Sequence, residues 1–137
     1  MEQSLEEKEN EVIEEFSVFD DWMDKYQYLI ELGQELDPLE ESEKNEQSLI
    51  SGCQSKVWIV SEVKDGRLYF RADSDAIIVK GIVAMLMKVV SGSKIDELKE
   101  CDFSFVSKIG LREHLSPTRS NGVLAMIERI KATANRF

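Results

Sequence analysis

The sequence predicts an α+β fold in which a small antiparallel sheet of two to three strands packs against several helices, and three observations carry that expectation. Residues 57–63 and 67–72 are rich in valine, isoleucine and aromatics and flank Lys64-Asp65-Gly66, whose Asp-Gly pair is a strong hairpin signal. Apolar residues recur at spacings of three and four on both sides of that hairpin, as amphipathic helices require. A lone hairpin is marginal in water, so its apolar face needs helices or a third strand, for which the residues near Leu49 and Ile50 are candidates.

The chain of 137 residues suits one domain, 1–137, able to bury a core without disulfides or a structural metal. Its net charge of −10, from 27 acidic and 17 basic residues, argues against nucleic acid or an anionic membrane surface as partner. A protein partner with a basic patch fits better. Two cysteines, Cys53 and Cys101, make no disulfide framework and suit a reducing compartment, so a cytoplasmic location is expected. The acidic first residues do not read as a signal peptide. Residues 76–90 are the most apolar stretch, but they carry Lys80, Gly81 and Lys88 and are too short to span a bilayer, so they read as a buried helix.

In chain order, residues 1–10 hold four glutamates and one lysine and are expected to fray at their start, with Leu5 the one apolar anchor. Val12, Ile13, Phe16, Phe19, Met23, Tyr26 and Ile30 then form one apolar stripe along a helix or two helices in series. Asp20 and Asp21 are the break, with Asp20 capping the second helix and Gly33 ending it in the left-handed conformation. Residues 34–47, with Pro38 and five glutamates, read as an exposed loop. In the second strand Leu68, Phe70 and Ala72 take the core face and Arg67, Tyr69 and Arg71 the wet face.

Ser74 and Asp75 are expected to start a core helix through Ile77, Ile78, Ile82, Met85, Leu86 and Val89, which Ser91-Gly92 ends. Ser93 with Asp96 resembles a capping box opening a short helix toward Cys101. Phe103, Phe105, Val106 and Ile109 read as loop or a helical turn. Ser116 as N-cap and Pro117 at the first position open the last helix, which turns Val123, Met126, Ile127 and Ile130 inward and ends near Ala134.

The chemistry concentrates in residues 48–58. Gly52 leaves one flank of the Cys53 sulfur unshielded, and Gln54 and Ser55 offer hydrogen-bond donors, which is the setting of a presented thiol. A small hydrophobe partly buried at a strand entrance accounts for Cys53 as well. Arg119 sits in the first turn of the last helix, where the macrodipole disfavours a cation. With His114, the only histidine, and the free amides of that turn it could form an electropositive patch for an anion or a thiolate. The alternative pairs Arg119 with a surface carboxylate and leaves His114 capping a turn.

A Cys-His-Asp set from Cys53, His114 and Asp73 or Asp75 is conceivable, although these residue types co-occur by accident. Neither a Cys-x-x-Cys nor a histidine pair is present, so no metal is expected. Cys101, between Glu100 and Asp102, has its thiolate disfavoured by like charge and reads as inert. No glycine-rich phosphate loop occurs.

Three separated stretches, in order, resemble the SufE family of sulfur-acceptor proteins. They are Ser48-Leu-Ile-Ser-Gly-Cys-Gln-Ser-Lys-Val-Trp58, Asp73-Ser-Asp-Ala-Ile-Ile-Val-Lys-Gly81 and Gly110-Leu-Arg-Glu-His-Leu-Ser-Pro-Thr-Arg-Ser-Asn-Gly122, and Tyr28-Leu-Ile-Glu-Leu-Gly33 fits as well. The resemblance implies a fold similar to the IscU-like scaffold proteins of iron–sulfur cluster assembly, without their metal-binding cysteines. It implies that Cys53 accepts sulfane sulfur from a SufS-type, pyridoxal-phosphate-dependent cysteine desulfurase, stimulates that enzyme and passes the sulfur to a downstream iron–sulfur scaffold. Such a carrier has no cofactor of its own and is not a stand-alone enzyme. Gly52, Gln54 and Ser55 then support the loop, and Arg119, His114 and Asp75 are the expected partner-binding residues. A thiol hydrolase or reductase using Cys53, or an interaction module with an inert Cys53, are the competing readings.

Overall fold

A computed structural model describes residues 4–50, 55–111 and 115–137. Along them run α1 (Leu5–Ser17), α2 (Trp22–Glu35), a 3₁₀ turn (Glu41–Glu43), β1 (Val57–Lys64), β2 (Arg67–Ser74), α3 (Ile77–Val90), β3 (Ser93–Lys94), α4 (Ile95–Glu100), α5 (Ser104–Lys108) and α6 (Pro117–Asn135). The strands form an antiparallel sheet in the order β1-β2-β3, and the helices pack on it in the expected α+β arrangement.

β1 and β2 pair from Val57↔Ser74 to Lys64↔Arg67, and Asp65 and Gly66 close the hairpin with φ of 52° and 76°. Two successive positive φ values match the right-handed twist of the strands, which is why Asp-Gly works here. Leu68, Phe70 and Ala72 are buried while Tyr69 and Arg71 face solvent, as their alternation predicts. The third strand, however, is Ser93–Lys94, set beside Arg67 and Leu68 once Gly92, at φ 81°, turns the chain after α3 and donates to the Leu68 carbonyl at 2.7 Å. Leu49 instead lies on the opposite edge as an isolated bridge to Trp58.

α3 is the buried centre, with Val79, Ile82, Met85, Leu86 and Val89 inside. Ile77, counted onto the core face by spacing, is 70% exposed at the first position of the helix, before that face begins. α3 also starts on Ala76 without a side-chain cap, because the Ser74 hydroxyl, buried at the end of β2, donates to the Lys56 carbonyl. α6 follows its signals closely, capped by Ser116, whose Oγ accepts the Arg119 N–H, with Val123, Met126, Ile127 and Ile130 buried.

The fraying expected at the amino end falls on residues 1–3, outside the described residues; from there on Ser4 caps α1, Leu5 is buried, and its N–H donates to Glu97 Oε2 at 2.9 Å. Four local expectations are corrected. Asp21 caps α2 rather than Asp20, accepting the Met23 N–H at 2.9 Å. Gly33 lies inside α2, which runs on to Glu35, and the following segment buries Leu39 instead of forming a wholly exposed loop. The Ser93 capping box is absent because Ser93 Oγ donates to the Val89 carbonyl and accepts from Lys8 Nζ.

Candidate functional site

Cys53, Gly52, Gln54 and His114 lie outside the described residues; what is described is how both ends of the cysteine segment are anchored. Ile50 donates to the Val57 carbonyl and Ile59 to the Ser48 carbonyl, each at 2.9 Å, so residues 48–50 and 57–59, which flank the cysteine segment in the sequence, are paired with each other. Ser48 is buried, and its hydroxyl donates to the Glu43 carbonyl at 2.6 Å. The Asn45 side chain accepts the Gln47 and Ser48 N–H groups at 3.0 Å, an Asx turn that fixes where the paired strand begins. On the outer edge Arg129 of α6 donates to the Gln47 carbonyl at 3.1 Å and to the Leu49 carbonyl at 2.9 Å.

The carboxyl-terminal root is held by Asp75. Its Oδ1 accepts the Lys56 N–H at 3.0 Å while its own N–H donates to the Lys56 carbonyl at 3.2 Å. Asp75 is exposed and half committed to the backbone it anchors. Ser55 and Arg119, separated by half the chain, come together on a cavity of about 70 Å³ between α3 and α6. Val79, Ile82, Val123 and Met126 make its apolar lining, and Thr118 and Gly122 complete it. A few tens of Å³ of such space admit a small group such as a thiol or a water. Ser55 is two residues beyond Cys53, so the cavity adjoins the cysteine segment along the chain.

Behind this base a buried carboxylate ties the preceding segment down. Asp73, 4% exposed, accepts the Leu39 N–H at 3.4 Å and the Ser74 N–H at 2.8 Å, with Lys80 Nζ at 3.3 Å and Lys44 Nζ at 3.5 Å. Burial alone would raise its pKa, but the two backbone N–H groups and Lys80 outweigh it and hold the carboxyl below its ordinary value. Asp73 is therefore engaged at both oxygens by partners that leave it a poor third member for a catalytic triad.

Cys101 is of the other kind. Burial first, and then Glu9 and Asp102, push its thiol up to about 11 although it accepts the Phe103 N–H. Of the like charges read from the sequence Asp102 acts here, joined by Glu9 rather than Glu100, but desolvation dominates. Among the described residues no cluster of three or more histidine, cysteine or acidic side chains could hold a metal, and no helix is long and apolar enough to cross a membrane.

Sequence reasoning turns Ile82, Val123 and Met126 inward but does not find the cavity they line, nor Arg129. Arg129 follows Glu128 and stands between Ala125 and Ala132 at helical spacing, and nothing in that pattern marks it as reaching a distant carbonyl.

A solution structure of a hypothetical protein from Thermus thermophilus has the same fold, with a TM-score of 0.78 at 21% identity over 94% of both chains. SufE-like proteins of Rhizobium meliloti and Rhizobium etli are 39% and 40% identical over 130 residues, covering 91% of this chain and 93% and 88% of theirs. The family model described as SufE, Fe-S metabolism associated domain, matches residues 10–134. The chain therefore belongs to the SufE family, whose domain is associated with iron–sulfur metabolism.

Proposed function

We propose that this protein is a sulfur carrier that takes sulfane sulfur onto Cys53 from a SufS-type cysteine desulfurase, stimulates that enzyme and hands the sulfur to iron–sulfur cluster assembly. One observation above all supports the reading: in a chain of the SufE family, the described residues on either side of Cys53 are pinned to the sheet, and Ser55, two residues beyond it, rims a small, half-apolar cavity with Arg119. A carrier must offer its thiol to a partner without unfolding its own body, and flanking residues anchored in this way meet that demand.

The step balances without an external oxidant. The Cys53 thiolate attacks the terminal sulfur of the partner's persulfide, the sulfur–sulfur bond to the partner's cysteine breaks, and that cysteine leaves as thiolate while Cys53 becomes the persulfide. Pyridoxal phosphate belongs to the desulfurase and not to this chain. The cavity, half lined by Val79, Ile82, Val123 and Met126, then offers the reactive sulfur shelter from water and stray thiols, and Arg119 at its rim favours the anionic form during exchange. The chain acts as an accessory protein rather than a stand-alone enzyme, at work in the cytoplasm.

The test mixes the protein with the desulfurase, pyridoxal phosphate and cysteine and weighs intact and Cys53→Ser protein by mass spectrometry. Gain of one sulfur atom that the substitution abolishes supports the carrier. No gain, or gain on Cys101 alone, defeats it.

A further inference from the structure

We propose that Arg129 is a positioning residue that staples the amino-terminal root of the cysteine segment to α6; its consequence for transfer rests on the sulfur-carrier reading of Cys53. Residues 48–50 run antiparallel to β1, with the Ser48 carbonyl and the Ile50 N–H turned toward Ile59 and Val57. Successive peptide groups of an extended chain point to opposite edges, so the carbonyls of Gln47 and Leu49 face the other way, where the sheet order β1-β2-β3 supplies no further strand among the described residues. An open strand edge of this kind slips or frays unless something covers it.

Arg129 covers it. Its Nη1 and Nη2 donate to the two carbonyls at 3.1 and 2.9 Å. A planar guanidinium presents two donors at a fixed spacing, which suits carbonyls two residues apart; a lysine ammonium is a point charge without that fork. The same helix carries Arg119 in its first turn, at the cavity rim beside Ser55. Ten residues of α-helix separate the two arginines by about 15 Å along a rigid axis. α6 thereby sets the loop root and the cavity rim in one frame, and the fork of Arg129 transmits that frame to the backbone leading into Cys53. Arg129 touches no reacting atom; it acts through where the segment begins.

The test compares wild type, Arg129→Ala and Arg129→Lys by amide hydrogen exchange and by single-turnover sulfur transfer from the desulfurase. In both variants exchange at the Ile50 and Ile59 amides rises roughly tenfold while Val83 and Leu86 amides in α3 keep their protection, the signature of local opening. Transfer to Cys53 slows about fivefold because the thiol is less often in an attacking geometry. Lysine does not restore either value, since charge without the fork is insufficient.

Unchanged exchange at Ile50 and Ile59, or a rise shared equally by α3, overturns the staple. Local opening with unaltered transfer overturns the positioning role. Should wild-type protein take no sulfur at all, the carrier reading fails and the positioning role with it, while the exchange data still decide the staple.

Discussion

Gly81 of α3 lies directly against the main chain of Leu29 in α2: a Cβ added at Gly81 would stand 2.2 Å from the Leu29 carbonyl oxygen. The contact is mutual along the crossing, since a Cβ at Gly33 would stand 2.9 Å from the Gly81 amide nitrogen. Two glycines thus let α2 and α3 approach backbone to backbone, and this sets the depth of the core helix whose Val79 and Ile82 line the cavity beside Ser55.

Gly81→Ala should therefore destabilise the protein by about 3 kcal/mol, because backbone must move to admit one methyl group. The sign is diagnostic: intrinsic helix propensity alone favours alanine over glycine by about 1 kcal/mol at an interior position. Urea or thermal melts decide between them, and a variant as stable as the parent would mean that the helices cross elsewhere.

The glycines also show what is legible in the sequence. The hairpin, its core face, the buried helix and the Ser116-Pro117 start of α6 are readable because each rests on local spacing or local cap chemistry. Gly33 reads as a terminator because glycine at a helix end and glycine at a helix crossing look alike in one dimension. The third strand fails similarly: Leu49 has strand character and does pair, but Ser93 and Lys94 join the sheet only because α3 ends beside β2. The family resemblance points to Cys53, Ser55 and Arg119, and the last two meet on one cavity. Arg129, whose partners lie some 80 residues away along the chain, carries no local signal.

Asp73 should make the anchoring of the Leu39 segment sensitive to acid. Its carboxyl titrates below the ordinary 3.8, so the stability it contributes is fully present above that value and is lost as pH falls through the lower, folded-state value. Protection of the Leu39 amide should hold from neutral pH to about 5 and decline below 4. Asp73→Asn should remove that pH response and cost about 2 kcal/mol at neutral pH, since Lys44 and Lys80 lose their shared partner. A Leu39 amide with the same pH profile in both proteins would detach the carboxylate from this role.

Cys101 should be a poor nucleophile. With its thiol pushed up to about 11, its thiolate fraction near pH 8 is on the order of 10⁻³. In Cys53→Ser protein, where Cys101 is the remaining cysteine, alkylation by iodoacetamide should climb about tenfold per pH unit from pH 8 to 10, without levelling near the ordinary value of 9.0. Burial favours the neutral thiol, so its contribution to folding is intact below the ordinary value of 9.0 and falls away as pH rises toward 11. A plateau near pH 9 would show that the half-buried sulfur is solvated like an ordinary thiol.

Arg119 should separate stability from transfer. Its side chain is exposed in the first turn of α6, where a cation opposes the helix dipole, while its backbone N–H satisfies the Ser116 cap and survives substitution. Arg119→Ala should thus leave the melting temperature unchanged or raise stability by a few tenths of a kcal/mol, about the size of the dipole term removed. Sulfur transfer to Cys53 should nevertheless fall roughly tenfold, the scale of one charge-assisted hydrogen bond to an anionic sulfur or to the partner. Arg119→Lys should recover part of the loss, because charge is retained at the rim. A variant that melts earlier and transfers normally would assign Arg119 to packing alone and leave the cavity rim without a role in the chemistry.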